Sequence, residues 1–475
     1  MKKIKFIFLA LGMLICLIPF AGMALYPTEK TGENKKPAEF PSLTTKDGGL
    51  NTDFYTQFDT WFNEHFAFRN EIVMVDAMVQ GRIFGTSAEE QVIYGSDGWL
   101  YYASTLSDYL GTGCMTERER FNLRHNLELV QSWADAKGVE LLLTVPPNKN
   151  TLYGKHMPYY DSMIVNPDHT LYELPKICEE AGVAYADLYT MFKEKQETLY
   201  LLRDSHWNGK GALLAYQTIM EKTGRSYEDY ADASATRSRS ADGDLNRMLY
   251  SVYGDAEMDT KYEIPQEYRY TTATESVEDA WILTETPGKE GSLVMFRDSF
   301  GNTLLPYMAN QFGRACFTKE SPYRLQKVVE EQRPELVIIE KVERNLRDFI
   351  TQPPIIAAAV CSDIRVKEAE ESEEGEEKSG TDETENFGLK SETSQFDSSM
   401  TQITGSVPEE LLKTDTEILL QIDGTFYSTY HIGTNGFMVY LDESGVPSDC
   451  CTLKVILKDG DSCRTVYEKK WEKEQ

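Results

Sequence analysis

The sequence predicts a three-layer α/β/α domain with a mainly parallel sheet, followed by an acidic disordered linker and a small C-terminal β-sandwich. Between residues 116 and 339, amphipathic helical segments alternate with short apolar runs, which is the pattern of an α/β protein. Residues 368–385 are nearly all Glu, Ser, Gly and Thr, a composition that cannot bury a core. Residues 402–475 alternate apolar and polar positions between Gly turns, as short antiparallel strands do.

The N-terminus predicts export. The first five residues include three lysines, and residues 6–25 form an apolar run close to the roughly 20 residues that cross a bilayer. Small residues at Gly22 and Ala24 suit a signal peptidase. Residues 1–25 are therefore interpreted as a signal peptide or an N-terminal membrane anchor. Either one places the rest of the chain outside the cytoplasm, because the lysines precede the run. Residues 26–53 are rich in Lys, Pro, Thr and Gly and are interpreted as a tether.

Composition and motifs exclude several kinds of partner and cofactor. The net charge of -29 argues against nucleic acid, which needs clustered Lys and Arg. The chain contains no G-x-x-x-x-G-K-[ST], H-E-x-x-H or C-x-x-C motif, so we expect no nucleotide, catalytic metal or zinc site. Of the eight cysteines, Cys16 lies in the apolar run, and the other seven leave at least one thiol unpaired. An exported protein permits disulfides, and Cys463 with Cys450 or Cys451 would close a hairpin.

Local patterns place the individual elements. Aromatic residues at near-helical spacing predict a helix over 54–66, and Asp97-Gly98 between two aromatic arms predicts a hairpin turn. Thr116 with Glu119 forms a capping box that opens a helix ending before Gly138. Residues 224–287 lack a clear pattern and are interpreted as an insertion or a lid. The remaining predicted elements are strand 139–145, helix 171–181, strand 183–188, helix 209–222, strand 292–296, helix 302–312, helix 323–332 and strand 336–339.

Two short stretches carry the candidate chemistry. Asp204 and His206 lie two positions apart on the loop before helix 209–222, so the carboxylate can hold Nδ1 of the imidazole and leave Nε2 as a base. Ser299 follows strand 292–296 directly and precedes Gly301, which is the strand-to-turn position of an exposed nucleophile. Together they predict a Ser-His-Asp triad. Each stretch alone is also common in ordinary loops.

These stretches resemble the DHHW family and its relatives, the SGNH hydrolase-like proteins of alginate O-acetylation (AlgX/AlgJ type). Asp204-Ser205-His206-Trp207 is similar to the Asp-x-His-Trp that supplies the acid and the base in that group. Arg297-Asp298-Ser299-Phe300 resembles the Gly-Asp-Ser block, with Arg297 where Gly is usual. Three further stretches within residues 40–350 share the resemblance: Phe62–Arg69; Val145–Lys149 with Tyr153 and Pro158; and Glu343-Arg344.

The resemblance implies a circularly permuted SGNH-like domain, assigned to residues 54–366, before the linker at 367–401 and the β-sandwich at 402–475. It implies an extracytoplasmic serine O-acetyltransferase or acetylesterase without a cofactor. Its partners would be a polysaccharide acceptor, a membrane-bound acyltransferase as donor, and the membrane through the N-terminal segment. The alternative is a catalytically inactive surface scaffold or glycan-binding protein that has kept the fold.

The sequence leaves the oxyanion hole and the substrate contacts open. The backbone N–H of Ser299 or Gly301 could stabilise an oxyanion, and the side chains of Lys149, Arg344 and Trp207 are further substrate or oxyanion candidates. Lys149 and Arg344 could equally form structural ion pairs, and a tryptophan in this position is more often a core residue. The C-terminal β-domain could bind carbohydrate or serve as a spacer.

Overall fold

In the computed structural model, the chain forms two compact units. One unit combines residues 1–94 with 242–255, and the other combines residues 95–241 with 256–475. The structure describes residues 2–25, 38–45, 48–250, 256–362, 364–366, 387–442, 445 and 450–472. Half of the predicted tether, at 26–37 and 46–47, and most of the predicted linker, at 367–386, lie outside these ranges.

The first unit contains helices α1, α2 and α3, at Lys2–Leu25, Phe54–His65 and Arg69–Val79, and strand β1 at Val92–Tyr94. Within α1, the stretch Lys5–Met23 is long and apolar enough to cross a membrane, a property that it shares with signal sequences. Helix α2 confirms the element predicted from aromatic spacing. Its rings stack along the helix, with the centroids of Phe58 and Phe62 6.1 Å apart.

The second unit contains the α/β core and the C-terminal strands. Its helices are α4 Leu106–Leu110, α5 Glu117–Lys137, α6 Lys149–Tyr153, α7 Pro158–Asp161, α8 Thr170–Glu180, α9 Leu188–Lys193, α10 Gly209–Thr223, α12 Gly301–Ala309 and α13 Leu325–Gln332; α11, Asp244–Leu249, belongs to the first unit. Its strands are β2 Leu100–Tyr102, β3 Glu140–Thr144, β4 Ala184–Ala186, β5 Ala235–Ala241, β6 Glu257–Tyr262, β7 Arg269–Tyr270, β8 Trp281–Glu285, β9 Ser292–Phe296, β10 Arg314–Thr318, β11 Leu336–Glu340, β12 Val360–Cys361, β13 Lys390–Thr393, β14 Thr401–Ser406, β15 Glu417–Ile422, β16 Thr425–Ser428, β17 Tyr430–Ile432, β18 Gly436–Leu441, β19 Cys450–Asp459 and β20 Ser462–Glu472.

A seven-stranded sheet forms the middle of the α/β core, in the order β4-β3-β11-β9-β10-β8-β7. The first five of these strands are parallel, whereas β8 and β7 pair antiparallel at the edge. Successive side chains of a strand point to opposite faces. Thus Val337 and Ile339 join one hydrophobic cluster with α5, α8 and α13, while Leu336 and Ile338 join a second one with α9, α10 and α12. The predicted three-layer α/β/α architecture is confirmed.

Helix α5 begins as its sequence predicts. The Thr116 hydroxyl accepts a hydrogen bond from the backbone N–H of Glu119, and the Glu119 carboxylate accepts one in return from the backbone N–H of Thr116. The helix ends at Gly138, which adopts the left-handed conformation with φ 67°. A capping box and a terminal glycine are local signals, so they could be recognised without the tertiary structure.

Part of the unplaced segment 224–287 contributes to the main sheet. Strand β8 pairs antiparallel with β10, and β7 adds to β8 at the edge. Strand β10 itself was not predicted. Its sequence, Arg-Ala-Cys-Phe-Thr, is short and carries only one strongly β-forming aromatic residue, so its local signal is weak.

The C-terminal strands form two antiparallel sheets, in the orders β12-β16-β15-β19-β20 and β13-β14-β18-β17. Side chains from both sheets share one hydrophobic core, to which the first contributes Ile418, Leu420 and Val455 and the second Ile403 and Phe437. The predicted β-sandwich is confirmed. Strands β12 and β13 lie before residue 402, where the sequence predicted the sandwich to begin. Strand β13 was missed because its sequence, Lys-Ser-Glu-Thr, has no alternation of apolar and polar residues.

The sandwich packs onto the α/β core rather than standing apart from it. Met400, Tyr430 and Tyr440 belong to the same hydrophobic cluster as Leu127 of α5 and Ile339 of β11. This shared cluster explains why residues 95–241 and 256–475 form one compact unit although the sequence suggested separate domains.

The expected closure of a hairpin by Cys463 is wrong. In the β19–β20 pair, Cys450 and Cys451 lie opposite Glu472 and Trp471, whereas Cys463 lies opposite Lys458. Seven residues of strand separate Cys451 from Lys458, which is about 23 Å. A disulfide requires Cα atoms within about 7 Å. The pairing register of β19 with β20 therefore keeps Cys463 far from Cys450 and Cys451.

Candidate active site

The loop before α10 fixes the relation between Asp204 and His206. Asn208 caps α10, and its side chain accepts a hydrogen bond from the N–H of Gly211 at 3.0 Å. Just before this cap, Asp204 Oδ1 accepts the backbone N–H of His206 at 2.8 Å and lies 2.7 Å from His206 Nδ1. One carboxylate oxygen thus holds both the backbone and the ring of the histidine. The imidazole is therefore oriented with Nε2 directed away from the aspartate.

The second loop follows β9 and leads into α12. The N–H of Arg297 extends the strand pairing by donating to the Thr318 carbonyl at 2.9 Å. The Asp298 carboxylate accepts from the N–H of Phe300 and from the N–H of Val342, both at 2.8 Å. The turn is therefore attached to the carboxyl end of the neighbouring strand β11. Ser299 lies at its apex.

The two loops meet at the serine hydroxyl. His206 Nε2 lies 2.7 Å from Ser299 Oγ, although the residues are separated by 93 positions in the chain. The side chains of His206 and Asp204 are 24% and 15% exposed, so the site is accessible from solvent. A hydroxyl within hydrogen-bonding distance of an imidazole that is oriented by a carboxylate has the geometry of an activated nucleophile.

Trp207 joins the two loops from the inside and does not face the solvent. It is 2% exposed, and its Nε1–H donates to Thr303 Oγ1 of α12 at 2.6 Å. Its ring meets the Phe300 ring edge to face, with centroids 4.9 Å apart. The ring is buried and its one donor is engaged, which favours a core role for Trp207 over the substrate or oxyanion role considered for it. The residue instead holds the His206 loop against α12.

Lys149 also has a structural position. Its buried ammonium donates to the carbonyls of Leu201, Leu202 and Asp204 at 3.0, 3.0 and 2.7 Å. These three carbonyls match the three N–H donors of an ammonium. These contacts give Lys149 a structural role, while the substrate or oxyanion role considered for it stays a prediction. The lysine is a clamp that holds the backbone of the Asp204 loop.

Two backbone N–H groups beside Ser299 remain available. The N–H of Phe300 is engaged by Asp298, but within the described part of the chain no acceptor lies within hydrogen-bonding distance of the N–H groups of Ser299 and Gly301. Gly301 is the first residue of α12, where the helix dipole adds a partial positive charge. A Cβ at Gly301 would lie 2.6 Å from Arg297 Cβ, so only glycine fits here. These N–H groups are the best-placed oxyanion donors.

Arg344 lies close to the ring of Phe300. Its guanidinium is 6.0 Å from the centre of the Phe300 ring and 5.5 Å from that of Tyr102. Among the described residues, none offers a carboxylate within ion-pair distance, so the structural ion pair considered for Arg344 is not formed. The guanidinium is left available beside Phe300, the residue that follows Ser299.

Arg344 also lines a cavity of about 180 Å³ that contains several titratable groups. His169 is buried, and its Nδ1 has no hydrogen-bond partner in the described chain; the nearest Glu343 oxygen is 3.7 Å away. Burial and the neighbouring Glu343 carboxylate raise the pKa of Asp108 to about 7. The cavity therefore offers both hydrogen-bond donors and acceptors next to a cation.

Two residues of the site were missed or misread from the sequence. Glu340, the last residue of β11, is fully buried and accepts the N–H of Asp298 at 3.0 Å. An acidic residue at the carboxyl end of a predicted parallel strand was the signal that could have identified it. Arg297 is buried and turned away from the serine, donating to the carbonyls of Val277 and Asp279. It fills the place that the resemblance gives to glycine.

Comparison with known proteins supports the fold. Residues 92–294, less than half of the chain, match the family model described as "SGNH hydrolase-like domain, acetyltransferase AlgX". The match includes Asp204 and His206 and ends before Ser299. No curated protein matches the sequence.

Several solved structures share low similarity with the chain. Bacillus cereus PatB1 is 17% identical and covers 54% of this chain and 96% of its own, with a TM-score of 0.42. The O-acetyltransferase domain of Pseudomonas putida AlgJ is 16% identical and covers 54% and 91%, with a TM-score of 0.37. A DHHW family protein from Eubacterium siraeum is 15% identical and covers 47% and 85%, also with a TM-score of 0.37. Residues 92–294 are therefore similar to the SGNH hydrolase-like domain of the AlgX type, within a chain that has a three-layer α/β/α core.

Proposed function

We propose that this protein is an extracytoplasmic SGNH-like serine acyltransferase or esterase that moves acetyl groups to or from a cell-surface or exported polysaccharide. The observation that carries the proposal is the pair of 2.7 Å contacts that link Ser299, His206 and Asp204. The choice of an acetyl group follows from the matching family model, which describes an acetyltransferase.

Acylation begins at the serine. His206 Nε2 takes the proton of Ser299 as Oγ attacks the carbonyl carbon of the acetyl donor, and Asp204 stabilises the resulting imidazolium. The carbonyl oxygen becomes an oxyanion that accepts the N–H groups of Ser299 and Gly301. When the tetrahedral intermediate collapses, the bond to the leaving group breaks and His206 returns the proton to it. The product is an acetyl-serine.

Deacylation repeats these steps with an acceptor hydroxyl. His206 removes the proton from a sugar hydroxyl or from water, whose oxygen attacks the acetyl-serine carbonyl. The second tetrahedral intermediate then releases Ser299, which regains its proton from His206. A sugar acceptor makes the protein a transferase, and water makes it an esterase. The cavity beside Arg344 supplies the acceptor side, because His169 and Asp108 offer the hydrogen bonds that sugar hydroxyls need.

The membrane context follows from the N-terminal helix. The stretch Lys5–Met23 has the length and apolar character of a membrane anchor or a signal sequence. Either one delivers the active site to the side of the membrane where polysaccharides are exported. A membrane-bound acyltransferase is the proposed source of the acetyl group.

The test uses the chain without residues 1–25 and a chromogenic acetyl ester. We expect turnover that is lost in Ser299→Ala and His206→Ala. Because members of a triad act as a unit, each loss should be on the order of 10⁴-fold or more. Ser132→Ala is the matched control, since it removes an exposed hydroxyl of helix α5. Wild-type turnover equal to that of Ser299→Ala would refute the proposal and favour a scaffold or glycan-binding protein.

A second measurement separates transferase from esterase. Oligosaccharides are added during turnover, and their masses are measured. A gain of one acetyl group per acceptor, absent in Ser299→Ala, identifies a transferase, whereas release of acetate alone identifies an esterase.

A further inference from the structure

A buried acid lies next to the turn at residues 297–301, which carries Ser299. Glu340 is 0% exposed, and its Oε2 accepts the backbone N–H of Asp298, the residue before Ser299, at 3.0 Å. The same oxygen would lie 2.8 Å from a Cβ placed on Gly301, so Glu340 also lies beside the residue two positions after Ser299. One side chain thus supports the turn before and after Ser299.

An ionised Glu340 carboxylate would lack a hydrogen-bond donor for one of its two oxygens. Its other oxygen, Oε1, is buried and has no hydrogen-bond donor among the described residues. The neighbouring Asp298 carboxylate is a second acid, whose two oxygens already accept the N–H groups of Phe300 and Val342. Two adjacent carboxylates cannot both remain ionised in a buried site without a large cost in free energy. A proton on Glu340 removes the repulsion and provides the missing donor.

We propose that Glu340, held as a neutral carboxylic acid, is a positioning residue that fixes the Ser299 turn by hydrogen bonding to Asp298. This inference rests on the function proposed above. Glu340 does not touch the reacting atoms. It acts by keeping Ser299 Oγ on the imidazole and the N–H groups of Ser299 and Gly301 directed at the developing oxyanion. An ionised Glu340 would repel Asp298 and loosen the turn.

The charges around Glu340 agree with this assignment. Burial, and after it the Asp298 carboxylate, raise the pKa of Glu340 well above its usual range, while Arg297 acts in the opposite sense. The guanidinium of Arg297 is engaged by carbonyl oxygens and by Asn302. The titratable or charged groups around Glu340 come from the segments that follow three strands: Arg297 and Asp298 after β9, Tyr323 after β10, and Lys341 with its partner Asp348 after β11. On the neighbouring strand β3, the residue paired with Glu340 is Thr144, which carries no charge.

The experiment compares Glu340→Gln with Glu340→Ala. Glutamine is neutral at every pH, can accept from the N–H of Asp298 and can donate to the Asp298 carboxylate. We expect kcat of the wild type to decline at alkaline pH as Glu340 ionises, and we expect Glu340→Gln to keep most of the wild-type kcat without that decline. Glu340→Ala should lose kcat on the order of 100-fold with little change in KM, since a nucleophile displaced by about 1 Å costs that much. Glu335→Gln, an exposed acid just before β11, is the matched control and should leave the profile unchanged.

A second measurement does not depend on turnover. A folded-state pKa above the unfolded value means that unfolding releases a proton, so the stability of the wild type falls as the pH rises above the range of a free glutamate. The thermal midpoint of Glu340→Gln should therefore rise relative to that of the wild type with increasing pH. Parallel midpoint curves, or an alkaline limb retained in Glu340→Gln, would overturn the inference. If the wild type shows no turnover, the proposed function fails, and the midpoint curves still decide the state of Glu340.

Discussion

Acid should open the contact between helix α5 and the C-terminal β-sandwich. Two imidazoles, from His125 of α5 and His431 of β17, stack inside this contact with ring centroids 4.0 Å apart. His125 Nε2 donates to the Thr429 carbonyl at 3.0 Å. His431 Nε2 accepts the backbone N–H of Ile418 at 3.0 Å, and its Nδ1 lies 3.1 Å from the Asn122 amide oxygen. The pair therefore fits only when His431 is neutral, because a protonated Nε2 cannot accept.

The size of the effect follows from burial. Burial lowers the pKa of His125 from 6.5 to about 4, against a smaller opposing contribution from Glu417. Burial, and then the neighbouring His125, also lower the pKa of His431. A depressed folded-state pKa gives stability that is present above pH 6.5 and is lost as the pH falls toward 4. For His125 alone, the loss is about 2 kcal/mol at pH 5 and approaches about 3.4 kcal/mol below pH 4, at 1.36 kcal/mol per pH unit.

Hydrogen exchange measured by mass spectrometry tests this prediction. Peptides covering residues 417–441 should exchange about 30-fold faster at pH 5 than at pH 7 after correction for intrinsic rates, which corresponds to about 2 kcal/mol. In His125→Gln, the amide still donates to the Thr429 carbonyl but does not titrate, so the acceleration should shrink. His65→Gln in the first unit is the control. Equal protection of these peptides at pH 7 and pH 5, or equal acceleration in His125→Gln, would refute the reasoning.

Two further variants test the geometry of the site. Gly301→Ala places a Cβ 2.6 Å from Arg297 Cβ and must shift the start of α12, so kcat with an acetyl ester should fall at least tenfold at nearly constant KM. Gly445→Ala, where the nearest atom would lie 3.5 Å from the Cβ, is the control and should leave kcat within about threefold; equal kcat in both variants would contradict the proposed oxyanion donors. Lys149→Met removes the ammonium donor from three carbonyls of the Asp204 loop and should lower the thermal midpoint and kcat together. Lys155→Met is the control, and a wild-type midpoint and kcat in Lys149→Met would show that the clamp is dispensable.

Local chemistry made much of this protein predictable from its sequence. The capping box at Thr116 and Glu119 set the start of α5, and the apolar run at 292–296 became β9 with the same bounds. The contact between Asp204 and His206 could also be predicted, because a carboxylate two positions before a histidine can reach its Nδ1 without contacts from distant residues. These features depend on neighbours within a few residues.

Only the tertiary structure brought the candidate triad together and decided which of its neighbours are buried. The sequence offered Lys149, Trp207 and Arg344 as substrate or oxyanion candidates. Packing engages the Lys149 ammonium with backbone carbonyls and the Trp207 N–H with Thr303, whereas no described residue offers the guanidinium of Arg344 a carboxylate. Glu340 became a candidate only when folding buried it against Asp298. The contact between His206 and Ser299 depends on two strands and two helices that bring 93 positions of chain together. Burial and long-range contacts set these roles, and neither is encoded in the identity or spacing of neighbouring residues.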